Sequence, residues 1–250
     1  MIQILLHGCN GRMGQMISQI VKEDTSMRIA AGVDSYHGID NMYPVYNSCA
    51  EVHEPIDVII DFSQAGAMSA LLEFCRTKQL PVVVCTTGLT EQQLQEIQEL
   101  SKQVAVLKSA NMSLGVNMLL KLVQDAAKTL APAGFDIEIV EKHHNQKLDA
   151  PSGTALAIAD SINEVMDQPY QYIYDRSQVR EKRGQHEIGI SAVRGGTIVG
   201  EHDVIYAGLD EVIEIRHTAY SRSIFAKGAI EAARFLSLAV PGLYDMSDVI

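Results

Sequence analysis

The fold turns on the opening stretch Ile2-Gln-Ile-Leu-Leu-His7-Gly8-Cys9-Asn10-Gly11-Arg12-Met13-Gly14. An apolar run of strand composition stops at a glycine-rich turn, and helical spacing then continues from Arg12 to Lys22. A turn without bulky side chains lets backbone N–H groups and a helix N-terminus approach a pyrophosphate, as a dinucleotide fold requires. The usual G-x-G-x-x-G is altered here, because Asn10 stands in the second glycine's place and Gly11 comes one position later. Gly8, Cys9, Asn10, Gly11, Arg12 and Met13 are therefore read as cofactor-binding. Asp34 ends the next apolar run, 20 residues beyond Gly14, where an acidic group accepts hydrogen bonds from adenosine ribose hydroxyls.

Outward from this turn, the first half alternates short β-rich runs with segments of helical period, which is the pattern of βαβ units around a parallel sheet. Ile2–His7, Met27–Val33, Val58–Phe62, Val82–Cys85 and Val104–Lys108 are the expected strands, and Arg12–Lys22, Ala65–Lys78 and Glu91–Lys102 the expected helices. Tyr36–Pro55 is loop-rich. Past Asn111 the pattern changes: a helix over Leu114–Leu130 is followed by Phe135–Lys142, which alternates acidic and apolar residues like a half-solvated strand. Further strands are expected over His186–Arg194, Thr197–Tyr206 and Glu211–Thr218, making a mixed or antiparallel sheet. A last helix, Arg222–Leu238, has one apolar face. The fold class is α/β, with a Rossmann-like dinucleotide-binding domain (1–112 and 222–250) and an α+β substrate-binding and oligomerisation domain (113–221) built on an open mixed sheet.

In a chain of 250 residues, 47% hydrophobic and 20% charged, disorder and coiled coils fit poorly. The net charge of −11 argues against a polyanionic partner, so no nucleic acid is expected. Four cysteines, Cys9, Cys49, Cys75 and Cys85, lie far apart and read as free thiols. No leader or membrane-spanning run is apparent, and a cytoplasmic location without membrane association is the expectation.

The second informative stretch is Glu141-Lys-His143-His144-Asn-Gln-Lys147-Leu-Asp149-Ala-Pro-Ser152-Gly153-Thr154-Ala155, between a strand and a helix. Protonatable groups precede a Ser-Gly-Thr helix start whose N–H groups suit an anion such as a carboxylate. His143 and His144 are adjacent and point to opposite sides of an extended backbone, so a shared metal is disfavoured and none is expected. A general-acid histidine with a neighbouring lysine is the better reading. Each feature has a plainer version: a connecting turn, an N-cap at Ser152, surface histidines, and ordinary surface charges at Arg194, Arg216 and Arg222.

This stretch resembles 4-hydroxy-tetrahydrodipicolinate reductase, formerly dihydrodipicolinate reductase, of the diaminopimelate route to lysine. Every specified position of the family pattern E-x-H-H-x-x-K-x-D-A-P-S-G-T-A is present from Glu141 to Ala155. The likeness extends to G-x-x-G-R-M-G at the start, Asp61-Phe62-Ser63, Thr86-Thr87-Gly88, Ala110-Asn111-Met112 and Ser221-Arg222. The resemblance implies that His143 is the general acid and Lys147 a second proton donor and carboxylate partner. It further implies that His144, Ser152, Gly153, Thr154 and Arg222 hold the substrate, a small cyclic imine dicarboxylate. Phe62, Cys85, Thr86 and Thr87, with Ser109, Ala110, Asn111 and Met112, are implied to line the cofactor, NADH and/or NADPH. A homotetramer joined through the substrate-domain sheet is implied as well. Two departures stand out: Cys85 replaces a glycine common before Thr-Thr, and Ser35 replaces a basic residue that some members carry after the acidic one. The rivals are an NAD(P)H-binding regulator without turnover, and another dicarboxylate or amino-acid dehydrogenase.

Overall fold

Parallel strands covered on both faces must be apolar on both, and Ile4-Leu5-Leu6 and Val58-Ile59-Ile60 are completely buried. The computed structural model describes residues 1–250. It divides them into a first unit, Met1–Leu114 with Ser223–Ile250, and a second, Gly115–Arg222.

The first unit contains a seven-stranded sheet of β1 (Ile2–His7), β2 (Met27–Val33), β3 (Val45–Tyr46), β4 (Val58–Asp61), β5 (Val82–Val84), β6 (Ala105–Lys108) and, from the chain's end, β12 (Gly242–Tyr244). The spatial order is β3-β2-β1-β4-β5-β6-β12 and every pairing is parallel. The order reverses between β1 and β4, and in open sheets that switch point leaves a crevice at the strands' carboxyl ends. One core packs α1 (Arg12–Lys22) and α6 (Ser223–Leu236) on the sheet, through Ile17, Val21, Ala226, Ala229 and Ala233. On the opposite face, α2 (Met68–Lys78) and α3 (Glu91–Ser101) contribute Leu71, Leu72, Ile97 and Leu100. A Cβ on Gly228 of α6 would stand 1.6 Å from the Met112 carbonyl oxygen, so only glycine lets the helix lie against that segment.

The second unit holds β7 (Asp136–His143), β8 (Gln171–Ile173), β9 (Glu187–Arg194), β10 (Gly200–Ala207) and β11 (Val212–Ala219), in the order β11-β10-β7-β9-β8. β10 runs antiparallel to β7 and β11, while β7, β9 and β8 are mutually parallel, so the sheet is mixed as expected. α4 (Leu114–Leu130) and α5 (Gly153–Asn163) pack on one face through Leu119, Val123, Ile158 and Ile162 against Ile137, Ile139, Ile190 and Tyr206. The Tyr206 hydroxyl is buried there and donates to Val123 O at 2.7 Å.

The differences from the sequence reading have local causes. β3, β8 and β12 span two or three residues, too few to show a period of two, and β3 lies inside the stretch read as loop. The helix expected from Ala65 opens with a 3₁₀ turn, Ala65–Ala67, before α2. The strand expected from Thr197 starts at Gly200, because Gly196, at φ 48°, turns the chain first.

Candidate active site

In the first unit the glycine turn is closed by backbone against backbone. Gly8 has φ 81°, and a Cβ there would lie 2.4 Å from Phe62 O. One on Gly14 would lie 2.3 Å from Gly8 O. Gly11 is the N-cap of α1 and supplies no capping side chain, so the first N–H groups of that helix have no side-chain acceptor. That arrangement fits a pyrophosphate. Asp34, just past β2, accepts Asn10 N–H on Oδ2 at 2.9 Å and Tyr36 N–H on Oδ1 at 3.0 Å. Each oxygen retains acceptor capacity for a ribose hydroxyl. Arg12 and Ser35 are exposed, and His37 Nε2 lies 3.0 Å from Asn47 Oδ1.

The other residues read as cofactor-binding also follow strands of this sheet: Phe62 after β4, Cys85–Thr87 after β5 and Ser109–Met112 after β6. The sheet thus brings them to the same carboxyl edge as the glycine turn. Burial pushes the Cys85 thiol well above its ordinary pKa, with the Asp61 charge adding to the effect. Sequence reading gave no role to His7 and Asp61, which form a buried pair at 2.9 Å across the ends of β1 and β4. The same Asp61 oxygen accepts the Ser63 N–H and hydroxyl, and Ser63 Oγ is 3.5 Å from Thr86 Oγ1, so three strand ends are linked.

In the second unit, β7 buries every other residue, and Ile137 and Ile139 are followed on that face by Glu141 and His143. Glu141 is completely buried. Arg194 grips its two oxygens at 2.7 Å each, Ser152 N–H donates to Oε1 at 3.0 Å, and His143 Nδ1 lies 2.6 Å from Oε2. Burial opposes ionisation, yet the bonds from Arg194, His143 and Ser152 outweigh it and hold the carboxyl below the ordinary range. Arg194 is therefore no ordinary surface charge. Nor is Arg216, which bonds the buried Asp203.

His143 has Glu141 on Nδ1, and its Nε2 faces Gly200, where a Cβ would come within 3.1 Å. The His202 ring meets His143 edge-on at 5.2 Å between centroids. His202 Nε2 is 3.0 Å from Ser152 Oγ, and burial, then the charge of His143, lowers its pKa to about 4. The ring shares this hydrogen bond with the Ser152 hydroxyl, while Ser152 Oγ accepts Ala155 N–H at 3.1 Å as the N-cap of α5. The N–H and hydroxyl of Ser152 are thus both committed within the fold. Gly153 and Thr154 follow as the first residues of α5, and the Gly153 N–H helps hold the Asp149 pKa down. Gly153 is exposed, with nothing within 4 Å of where its Cβ would be. Lys147 Nζ is paired with Asp149 at 2.8 and 2.9 Å, and this bond draws the Asp149 pKa down. His144, which follows β7, is half-buried, and exposed Arg222 makes no hydrogen bond to the Glu141 cluster. Glu141 and His202 could have been found by period-2 counting, since each shares a strand face with buried apolar residues.

Residues 2–112 match the family described as dihydrodipicolinate reductase, N-terminus, and residues 115–250 match its C-terminus. The chain belongs to the dihydrodipicolinate reductase family. A relative from Caldanaerobacter subterraneus subsp. tengcongensis, named 4-hydroxy-tetrahydrodipicolinate reductase, is 52% identical over 250 residues, covering 100% of this chain and 98% of the relative. One of the same name from Clostridium tetani is 46% identical over 246 residues, covering 98% and 96%. Among solved structures, the dipicolinate-bound dihydrodipicolinate reductase from Paenisporosarcina sp. TG-14 superposes with a TM-score of 0.84 at 25% identity, covering 100% of both chains. The C. glutamicum DAP dehydrogenase in complex with DAP shares the fold at TM-score 0.57 and 13% identity, covering 98% and 92%. As a dihydrodipicolinate reductase family member the chain is an oxidoreductase of the nicotinamide-dependent kind. No helix in it is long and apolar enough to cross a membrane.

Proposed function

We propose that the chain reduces 4-hydroxy-tetrahydrodipicolinate to tetrahydrodipicolinate, with Met1–Leu114 and Ser223–Ile250 holding the cofactor and Gly115–Arg222 the substrate. The observation that carries this reading is the Glu141–His143 pair, buried beside the first turn of α5. Glu141 engages Nδ1 of His143 and so leaves Nε2 as the atom that transfers a proton. Bound reduced nicotinamide supplies a hydride. One hydride and one proton enter the ring and one water leaves the hydroxylated carbon, so the step balances.

His143 delivers that proton. Lys147 exchanges Asp149 for a substrate carboxylate and serves as second donor, while Gly153 and Thr154 N–H groups, His144 and Arg222 complete the dicarboxylate's contacts. The residues from Gly8 to Met13, with Asp34, Phe62, Cys85–Thr87 and Ser109–Met112, hold the cofactor. NADH serves at least as well as NADPH, because the Asp34 charge repels a 2′-phosphate and Ser35 offers no cation. The working assembly is a cytoplasmic homotetramer without nucleic-acid partners. The face of the second sheet away from α4 and α5, where Val193 and Val212 are exposed, supports that association.

Pyridine-2,6-dicarboxylate provides the test. It is expected to compete with the substrate, and Lys147→Ala to weaken its binding, as followed by inhibition and by calorimetry. Inhibition that is not competitive, or unchanged affinity in Lys147→Ala, would contradict this assignment of the carboxylate site.

A further inference from the structure

Asn10 departs from the dinucleotide fingerprint, and its side chain does something a glycine cannot. Its Nδ2 donates to Tyr36 O, and its Oδ1 accepts from Asn41 Nδ2 at 2.8 Å. Asn41 Oδ1 in turn accepts from Gln15 Nε2 at 3.1 Å, and the same Gln15 amide donates to Cys9 O at 3.0 Å. Farther along, the Tyr43 and Ser18 hydroxyls meet at 2.7 Å. The segment after β2 is therefore fastened to the glycine turn and α1 at Asp34, Tyr36, Asn41 and Tyr43. Asn10 alone carries the fastening at Tyr36 and shares the one at Asn41 with Gln15.

We infer that Asn10 is a positioning residue for cofactor specificity, pinning the segment from Asp34 to Tyr43 so that it favours NADH over NADPH. This rests on the reductase reading above and adds a determinant distinct from the charge of Asp34. A ribose diol needs an acceptor held in place, and Asp34 is held through Asn10 N–H and Tyr36 N–H. A 2′-phosphate needs room and a cation instead. To provide them the segment must move outward or bring His37 inward, yet Tyr36 is tied to Asn10 and the His37 ring is engaged with Asn47. Charge and immobility together disfavour the phosphate. The peptide N–H of residue 10 survives replacement by glycine, so the hold on Asp34 persists while Tyr36 is released and Asn41 keeps its bond to Gln15.

The test is calorimetric titration of the full-length wild type, Asn10→Gly and Asn41→Ala with NADH and with NADPH, in the absence of substrate. The wild-type ratio of Kd for NADPH to Kd for NADH is expected to exceed one. Each variant should lower that ratio about 3- to 10-fold, the effect of losing an ordinary hydrogen bond. The double variant should fall short of the sum of the two single effects, because both changes break the Asn10–Asn41 bond. A merely structural role would weaken both dinucleotides together, and a ratio within twofold of wild type in both variants would overturn the inference. Should Asn10→Gly not fold, Asn41→Ala carries the comparison from the segment's side. A wild type that binds neither dinucleotide would overturn the reductase reading itself, an outcome distinct from an unchanged ratio.

Discussion

Glu141 carries a full negative charge out of water, which costs several kcal/mol unless donors replace the lost hydration. Arg194 supplies two of those donors, and the guanidinium's planar fork matches the carboxylate. Arg194→Met is expected to lower stability by about 3–5 kcal/mol, measured by urea unfolding, because the charge left behind is buried and half-paired. A loss below about 1 kcal/mol, the scale of a surface pair, would show that the clamp is dispensable. His202 gives a pH dependence of definite sign. Its folded pKa lies near 4, below the ordinary 6.5, so the unfolded chain binds the extra proton. The stability it contributes is complete above pH 6.5 and is lost as pH falls toward 4, on the order of 3 kcal/mol in all. The neighbouring His217 shifts in the same direction through its own burial, while His143 and Glu141 on β7 and Lys147 beyond it also bear on His202. Urea midpoints should therefore fall more steeply with acid over this window in the wild type than in His202→Gln, and equal slopes would contradict the assignment.

At the scale of elements, β7, β10 and the start of α5 converge on His143, and Gly200 is the point of closest approach. A methyl at Gly200 would stand 3.1 Å from His143 Nε2 and displace the ring by a few tenths of an ångström. Gly200→Ala is expected to lower kcat about tenfold or more while leaving the Kd for NADH unchanged, since small misplacements of a reacting group are costly. A kcat within twofold of wild type would mean that the ring's position is not critical. The elements legible in the sequence were those with enough residues to display a period: β1 and β2 around the glycine turn, β7 with its alternation, and the long helices. The three short strands carry no such signal, and all three lie at the edges of their sheets. The Glu141-to-Thr154 stretch was legible as chemistry because its acid, base and cap lie close along the chain. Arg194 was not, because it reaches Glu141 only through the pairing of β7 with β9, and the period of β10 signals the burial of His202 but not its partner Ser152.

For the whole molecule, the fold class follows from two sheets of different character. One is entirely parallel and buried on both faces, and the other is mixed and packed by helices on one face. The parallel sheet gathers the glycine turn, Asp34 and the loops after β4, β5 and β6 at its carboxyl edge, while the mixed sheet aligns Glu141, His143 and His202. Fold likeness alone would not separate a reductase from the dehydrogenases that share the architecture at 11–15% identity, so the distinction rests on the residues from Glu141 to Thr154 and on the family match. The central claim is that this chain reduces the cyclic hydroxylated dicarboxylate with His143 as proton donor. Its most direct test is the initial rate of NADH oxidation with freshly generated 4-hydroxy-tetrahydrodipicolinate, comparing wild type with His143→Gln at matched folded concentration. The expected result is substrate-dependent turnover by the wild type and a kcat lower by about 10²–10⁴-fold in the variant. No substrate-dependent oxidation by the wild type, or an unchanged kcat in His143→Gln, would contradict it.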